Sequence, residues 1–488
     1  MFWEGRRLRF LIGILSLALF LLGFERMAAL EPAREKGTLP TRPPTPYIHY
    51  LPGSETHRRA LVVPGLDSNK EFMQILSSAL ADEGIEAYAI DLPGHGDSPV
   101  GFNGVLATST LEQVVSALNP DIAIGHSMGA ALLIDVAHDV KFRSLVLISP
   151  APTEVNGLEF EHTLVTTERW DIPAVNSFVL QLEDVDLLNF QWGMHSSAPY
   201  YPNQIREIVR WLGGNPDRLH TGQRFIWLGS MFAGAIGMGV ILLRNSPPQL
   251  RRGRAAERDP DRAKPEERRR ADLTFSKTQI LVNFAVAGGI AVIVQRFVVV
   301  LRWIHLYATD YLVSFLFVTG LVLLTSQVIR KGSIFNYSMP AGGLGTFAKA
   351  IGATVYVIVV LGLITGSHLI HMTLSDGRWW RFPVIAAASF PLFLFDETAL
   401  RPAGSNWQST GLFIITRGLL SAWIATGVLL FNHESTFVAL LSGFTFGFWT
   451  ALWFVATLVR RNVQSPAATA LFSALVQGWM FAAWFVTT

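Results

Sequence analysis

The sequence predicts two structural classes in one chain: a mostly parallel β-sheet flanked by helices in the first half, followed by an α-helical transmembrane bundle. Apolar strand-like runs alternate with helical segments through the first half, an order typical of a parallel sheet. The composition carries the second observation, because 50% of the 488 residues are hydrophobic, 16% are charged and mean hydropathy is +0.35. These values are too apolar for one soluble domain of this length, and they indicate several membrane spans.

One predicted turn in the first half carries a serine between two glycines. The motif G-H-S-M-G at residues 125–129 follows the apolar run 122–124 and opens into the helical stretch 130–140. Glycines suit both positions because the turn is tight, and a side chain there would meet the neighbouring strand or helix. This strand-turn-helix setting predicts that Ser127 is a nucleophile.

Other strand ends in the same half carry the groups that a serine nucleophile needs. Two upstream strands end in loops, V-V-P-G-L at 62–66 and D-L-P-G-H-G-D-S at 91–98. Three β-rich runs follow downstream, at 144–149, 163–167 and 186–192. Asp171 comes after the second of these runs and His195 after the third, so the chain order is serine, aspartate, histidine.

With these motifs the first half resembles the α/β-hydrolase family, whose catalytic triad follows this chain order. The resemblance also rests on T-E-R-W-D at 167–171 and G-M-H-S at 193–196, and it covers about residues 45–213. Pro64 is a departure, because many relatives carry a histidine before this glycine, but the backbone role of the loop is unaffected. Relatives commonly insert a cap after the strand at 144–149. In this chain only a short segment follows that strand before the next one begins, so we expect a minimal cap. The pocket would then either be covered by another part of the protein or stay open.

The resemblance implies a role for each site residue. Ser127 would be the nucleophile, His195 the general base, and Asp171 the carboxylate that fixes the histidine tautomer and stabilises the imidazolium. The backbone N–H groups of Leu66 and Met128 would form the oxyanion hole. No metal or other cofactor is expected, because the scattered histidines lack ligand spacing.

The acid has a rival in Glu154, which lies just past the strand at 144–149, where some family members place this residue. Asp184 and Asp186 are expected to solvate the turn before the last strand. The other histidines of this half are expected to pack or to organise loops and helix surfaces: His126, His95 and His138.

Nine membrane spans are predicted from the apolar segments. Residues 1–30 are expected to form an uncleaved signal anchor, since no convincing cleavage site follows the apolar run. A second span is predicted at 225–243, and a multi-span domain fills 279–488. Within it the expected helices are 279–300, 307–328, 350–371, 379–396, 411–431, 437–458 and 467–486. Prolines shorten the segment 379–396, which either spans the membrane or is re-entrant.

The Lys and Arg residues orient the chain, because basic loops stay on the cytoplasmic side. With residue 1 inside, the hydrolase-like region lies outside, and segment 244–278 lies inside with eleven Lys or Arg against six Asp or Glu. Arg460 and Arg461 also fall inside if 379–396 spans the membrane. Arg378 and Arg381 fall on the outer side in this arrangement, contrary to the rule.

Segment 244–278 is rich in Pro, Arg and Glu, which also raises the idea of a nucleic-acid or anionic-lipid site. Its mixed charge signs and low apolar content instead favour a disordered cytoplasmic linker, and we expect no nucleic-acid partner. The chain has no cysteine, which excludes disulfides and thiol catalysis and fits an envelope location.

Ionisable residues in the predicted spans cost free energy unless they are paired or lie near a span end, where they can snorkel. Position favours snorkelling for Arg296 and for Asp396 with Glu397. Arg417 lies deeper in its span and has no such explanation.

Two classes of function fit these features. The first is a membrane-bound serine hydrolase that cleaves an ester outside the cytoplasm, in a bacterial plasma membrane; amide cleavage, as in prolyl peptidases, and acyl transfer are variants of it. The second is a non-catalytic hydrolase-like domain that binds a ligand and regulates a transport bundle. The complete set of triad and oxyanion residues favours the first. Apolar side chains in the loops 99–106 and 197–202, close to the span at 225–243, make a lipid-like ester one candidate substrate. No protein partner or oligomeric state is predicted.

Overall fold

A computed structural model describes residues 2–53, 58–243, 275–331, 343–366, 368–375, 377–431 and 436–488. The chain forms two compact units. The first comprises Met1–Gly237, Val360–Gly377 and Ala483–Thr488, and the second comprises Met238–Val359 and Arg378–Ala482. The first unit contains every predicted site residue.

The first unit is built on an eight-stranded sheet. Its strands are β1 Ala33–Leu39, β2 Thr45–Leu51, β3 Arg59–Val63, β4 Glu86–Ile90, β5 Ile122–His126, β6 Ser144–Ile148, β7 Thr163–Trp170 and β8 Asp186–Met194. They lie in the order β1-β2-β4-β3-β5-β6-β7-β8. β2 runs antiparallel to β1 and β4, and the other neighbours are parallel. The carboxyl ends of β3 to β8 therefore meet at one edge, where the predicted loops lie.

Helices cover both faces of this sheet. α2 Gln74–Asp82 and α6 Pro202–Trp211 pack on one face. α3 Gly104–Leu118, α4 Met128–Ala137 and α5 Pro173–Val179 pack on the other. Residues 60–63 of β3 point alternately to the two cores, so these four residues are all apolar. This is the mostly parallel, helix-flanked sheet that the sequence predicts.

The start of the sheet differs from expectation. The predicted hydrolase region begins at residue 45, but β1 pairs with β2 from Ala33 to Leu39. β1 has the sequence A-R-E-K-G-T-L and is largely exposed at the edge of the sheet. Charged residues are common on edge strands because they oppose pairing with other chains. The apolar run that marks the central strands is therefore missing here.

Two long apolar helices belong to the first unit through most of their length. α1 spans Phe2–Leu30 and α7 spans Thr221–Leu243. They pack closely around Gly234, where a Cβ atom would lie 2.6 Å from the Ser16 carbonyl oxygen. The buried guanidinium of Arg224 donates two hydrogen bonds of 2.9 Å to the carboxylate of Asp82, at the end of α2, and one of 2.7 Å to the carbonyl of Leu30. These contacts fix both helices to the sheet-bearing part of the unit.

Among the described residues, nine helices are long and apolar enough to cross a membrane. Beyond α1 and α7 they begin with α8 Lys277–Phe297, α9 Thr309–Lys331, α10 Gly343–Ile364 and α11 Arg381–Phe395. They end with α12 Asn406–Phe431, α13 Thr436–Val463 and α14 Pro466–Trp484. A π turn and a 3₁₀ turn extend α11, and residues 381–403 together are long enough to span. The basic linker at 244–278 lies outside the described residues except for its last four.

The helix predicted at 350–371 is wrong at its end. α10 stops at Ile364, and residues 365–377 leave the helix and belong to the first unit. His368 forms an ion pair with Glu31, and the side chain of Asn69 accepts a hydrogen bond from the backbone of His371 at 3.3 Å. The ring of His371 lies 3.5 Å from Glu71 and 3.4 Å from Asp97. Both histidine side chains therefore have polar partners, whereas an unpaired histidine would be costly in a membrane helix.

Two buried carboxylates of the second unit are paired with arginines. Asp396 and Glu397 are buried, so the expectation that they snorkel is wrong. Asp396 forms an ion pair with the fully buried Arg417, and Glu397 lies 2.7 Å from Arg401. Pairing of this kind offsets the cost of charge inside an apolar bundle, and it supplies the partner that Arg417 lacked in the sequence.

Candidate active site

The turn between β5 and α4 places Ser127 at the carboxyl edge of the sheet. Ser127 has φ 52° and ψ −117°, a backbone conformation that residues with a side chain rarely adopt. A Cβ atom on Gly125 would lie 2.6 Å from the backbone of Ala130, and one on Gly129 would lie 2.5 Å from the carbonyl oxygens of Val63 and Pro64. Both flanking positions therefore require glycine, for the reason the motif suggests.

The structure brings Ser127, His195 and Asp171 together. His195 Nε2 lies 2.8 Å from Ser127 Oγ, and His195 Nδ1 lies 2.7 Å from Asp171 Oδ1. Asp171 also accepts a hydrogen bond of 2.6 Å from the backbone N–H of Ile172, and its carboxylate is buried. The three side chains form one hydrogen-bonded line from a buried carboxylate to a hydroxyl.

The rival acid lies elsewhere. Glu154 is exposed in the segment after β6, and the described contacts of His195 go to Asp171 instead. Asp184 lies in the turn before β8, and Asp186 starts that strand and accepts a hydrogen bond of 2.7 Å from Trp211 Nε1.

The other histidines have supporting contacts. His126 Nε2 donates a 3.0 Å hydrogen bond to the backbone carbonyl of His195. Burial lowers the pKa of His126 to about 3, so its ring is neutral near pH 7 and can hold the backbone of His195 without adding charge. His95 contacts the carbonyl of Pro93 at 2.9 Å inside its own loop, and His138 is exposed at the end of α4.

The loop after β3 lies directly against the serine. A Cβ atom on Gly65 would be 3.0 Å from Ser127 Cβ, so this glycine permits the close approach. Within the described part of the chain, the backbone N–H groups of Leu66 and Met128 have no hydrogen-bond acceptor. Two unpaired donors beside the serine are what a developing oxyanion would need.

A second carboxyl group that the sequence analysis missed lies beside the first. Glu168, on β7, is fully buried and accepts a 2.6 Å hydrogen bond from Ser149 Oγ. Burial, reinforced by the nearby charge of Asp171, raises the pKa of Glu168 to about 8. Burial acts most strongly, to raise the pKa of Asp171, but the hydrogen bond and electrostatic attraction of His195 and hydrogen bonds from Ser149 and Glu168 together outweigh it and lower the pKa to about 2. Near pH 7 Asp171 is therefore ionised, while Glu168 is mostly protonated.

One group of side chains in the described residues has the geometry of a metal site: Glu71, Asp97 and His371. A cation already lies among them, because Lys70 Nζ is 2.7 Å from Asp97 and 3.4 Å from Glu71. Burial acts to lower the pKa of Lys70, but the surrounding carboxylates outweigh it and raise this pKa above its usual value. The ammonium group therefore stays charged and would repel a metal ion, so these residues fit an internal ion-pair cluster better than a metal centre.

A cavity of about 280 Å³ lies at the opposite end of the sheet, lined by residues such as His138, Phe142 and Glu159. None of its lining residues belongs to the group around Ser127. The hydrogen-bonded line at the carboxyl edge, rather than this cavity, is therefore the candidate active site.

Comparison with known proteins supports the fold. A sequence model described as the alpha/beta hydrolase family matches residues 60–264. This match confirms the resemblance and the fold class for the sheet-bearing part of the chain. No curated protein sequence matches the chain significantly.

Several solved structures are similar to part of the chain. An alpha-beta serine hydrolase homologue from Coxiella burnetii has 19% identity, covers 36% of this chain and 95% of its own, and has a TM-score of 0.29. XC6422 from Xanthomonas campestris, described as an a/b serine hydrolase without lid, has 18% identity, coverage of 39% and 94%, and a TM-score of 0.31. A membrane phospholipase A, described as a bacterial virulence factor, has 14% identity, coverage of 44% and 98%, and a TM-score of 0.32.

The raised pKa of Glu168 predicts a pH dependence of stability. Between about pH 5 and about pH 8 the folded state binds a proton on Glu168 that the unfolded state releases, so stability falls as pH rises, by up to about 1.4 kcal/mol per unit. Glu168→Gln keeps a neutral hydrogen-bonding group and should flatten this slope. Apparent unfolding temperatures of the detergent-solubilised full chain measure it. Glu161→Gln, at a side chain that is 75% exposed, should keep the original slope. Parallel slopes for Glu168→Gln and the unchanged protein would contradict the assignment.

Proposed function

We propose that this protein with an α/β-hydrolase fold is a membrane-embedded serine hydrolase that cleaves a carboxylic ester. The observation that carries the proposal is the line of hydrogen bonds from Asp171 through His195 to Ser127 on a strained turn. A serine hydroxyl is a weak nucleophile near neutral pH, and this arrangement supplies the general base and the carboxylate that orients it. The unpaired N–H groups of Leu66 and Met128 support the same chemistry.

The proposed reaction has two stages. Ser127 Oγ attacks the ester carbonyl carbon while His195 Nε2 takes its proton, and the N–H groups of Leu66 and Met128 stabilise the oxyanion. The intermediate collapses, the alcohol leaves with the proton from His195, and an acyl-enzyme remains on Ser127. A water molecule then attacks the acyl carbon, again giving its proton to His195, and the carboxylic acid is released as Ser127 regains its proton.

The substrate that we propose is a small-molecule ester with an apolar acyl part, including lipid-like esters. The unit that carries the site also carries α1 and α7, two candidate membrane spans, so the site is tethered close to a bilayer. Val105, at the start of α3 beside the carboxyl edge of the sheet, is 82% exposed. An exposed apolar side chain here suits contact with an acyl chain. Because the proposed substrate is a small-molecule or lipid-like ester, we propose no nucleic-acid partner.

We also propose that the catalytic unit lies outside the cytoplasm, at a bacterial plasma membrane. The nine candidate spans and the basic segment 244–278 support this orientation under the rule that basic loops stay inside. The absence of cysteine in the sequence is compatible with that location.

Removing the nucleophile tests the proposed activity. We expect a fluorophosphonate probe to label the full chain in membranes, and Ser127→Ala to abolish both labelling and ester turnover. Loss of a triad serine costs on the order of 10⁶ in rate. Ser177→Ala, on the exposed side of α5, serves as the matched control and should be labelled normally. Undiminished labelling of Ser127→Ala would rule out this serine as the nucleophile.

The acid is tested by two amide substitutions. Asp171→Asn should lower kcat by about 10⁴, because an asparagine favours the wrong tautomer of the histidine. Glu154→Gln should change kcat by less than about twofold, as is usual for an exposed residue with no contact to the site. Steady-state ester hydrolysis and a parallel unfolding measurement separate catalysis from folding. If the two variants exchanged their effects, Glu154 would be the acid.

Topology can be measured with single cysteines, because the chain has none of its own. A membrane-impermeant maleimide applied to intact cells should label Lys141→Cys, whose side chain is 81% exposed, and should not label Arg262→Cys in the basic segment. Gln464→Cys, between α13 and α14, should also stay unlabelled until the cells are opened. Labelling of residue 464 in intact cells would mean that 381–403 is re-entrant or that another helix does not span.

A further inference from the structure

Residues 484–487 lie in the first unit, against the loop that carries Leu66. The indole Nε1 of Trp484 donates a 2.7 Å hydrogen bond to the backbone carbonyl of Asp67. The backbone N–H of Val486 donates a 2.8 Å hydrogen bond to Asp67 Oδ1. Asp67 is therefore held through both its main chain and its side chain, one residue after a proposed oxyanion donor.

The same segment is fixed on its other side by the loop after β4. The backbone N–H of Thr487 donates to the carbonyl of Gly94 at 3.0 Å, and the N–H of Phe102 donates to the carbonyl of Thr487 at 2.6 Å. Phe485 and Val486 are fully buried. Residues 484–487 thus lie between two loops at the carboxyl edge of the sheet and are hydrogen-bonded to both.

Asp67 has a conformation that needs this support. Its φ of 53° is in the left-handed region, which costs a non-glycine residue about 1 kcal/mol or more. The turn that contains it is closed by a 3.1 Å hydrogen bond from Ser68 N–H to the carbonyl of Gly65. Leu66 lies in this turn between Gly65, which touches Ser127, and Asp67, which is held by Trp484 and Val486. Movement of Asp67 would therefore turn the Leu66 N–H away from the serine.

We propose that Trp484 and Val486 are positioning residues for the oxyanion hole, acting through Asp67 to hold the backbone N–H of Leu66 in place. This inference rests on the proposed hydrolase function. Trp484 is also the last residue of α14, a candidate membrane span. The loop that carries Leu66 is therefore hydrogen-bonded to a residue 417 positions further along the chain, at the end of an apolar helix, and full activity requires this residue to be in place.

The test uses the full chain in detergent or membranes, with a short soluble ester as substrate. Asp67→Ala removes the acceptor for Val486 and should lower kcat by about 10², the low end for loss of one oxyanion donor, with KM changed by less than about twofold. Asp67→Asn keeps an acceptor oxygen and tolerates left-handed backbone, so it should recover most of that loss. Trp484→Phe removes one hydrogen bond and should lower kcat by about tenfold.

Two matched variants control for general damage. Trp211→Phe deletes an indole that donates 2.7 Å to Asp186, and Asp121→Ala deletes a carboxylate that accepts 3.1 Å from the backbone of Arg59, both away from the serine. Both should leave kcat within about twofold of the unchanged protein. A trifluoromethyl ketone, which becomes a tetrahedral oxyanion on Ser127, supplies a second readout. The affinity for this inhibitor should fall in parallel with kcat in Asp67→Ala and Trp484→Phe. Binding of the inhibitor depends on the oxyanion hole, whereas KM for the ester does not.

The outcomes are distinguishable from failure of the hydrolase proposal. Unchanged kcat and inhibitor affinity in Asp67→Ala and Trp484→Phe, with Ser127 still labelled, would overturn the positioning role alone. Equal losses in the control variants, or a rise in KM that matches the fall in kcat, would also overturn it, since these are the marks of general destabilisation. If Ser127 in the unchanged protein reacted with no probe, the hydrolase function itself would fail.

Discussion

The strained backbone of Ser127 is the constraint on which the rest of the site depends. A conformation of this kind costs about 1–3 kcal/mol and persists only where surrounding structure determines it. Here the N–H of Ser127 donates to Ile148 at the end of β6, and its carbonyl accepts from Ala151. The central strands β5 and β6 are fully buried. The stability of the parallel sheet therefore offsets the local strain, and it aims the hydroxyl toward His195 with little freedom to relax.

Two carboxyl groups lie close to each other near His195, and their surroundings give them opposite protonation states near pH 7. Asp171 receives hydrogen bonds from His195 and from the backbone of Ile172, which favour its ionised form. Glu168 receives one from Ser149, and burial favours its neutral form. If both were ionised, their repulsion would weaken the hold of Asp171 on the imidazole. A protonated Glu168 instead keeps a polar group beside Asp171 without a second negative charge.

The sequence revealed those parts of the fold whose signals are local. Strands β3 to β8 are rich in apolar or β-forming residues and end in recognisable loops. The chain order of Ser127, Asp171 and His195 pointed to the residues that the structure brings together. β1 was missed because its charged residues hide the strand pattern. α10 was extended too far because Leu369 and Ile370 resume the apolar character of the helix beyond Ile364. One feature of the sequence could have pointed to Glu168: it is an acidic residue within β7, a strand expected to be buried. Nothing local marked the pairing of Asp396 with Arg417, since a partner twenty-one residues away is set by packing.

The contacts of residues 371 and 484–487 could not be predicted from the sequence. They show that distant segments of the chain contact the loops that an inserted cap would otherwise cover. The segment between β6 and β7 is short, so the sheet-bearing region provides little of its own to cover the loops at the carboxyl edge. Instead, His371 contacts Asn69, and residues 484–487 lie between the loops after β3 and β4. Each of these segments follows an apolar helix long enough to span a membrane. An inserted cap in the usual position would order these loops independently of the bilayer. Here the groups that order the loops come instead from segments that follow candidate spans, far along the chain from the sheet.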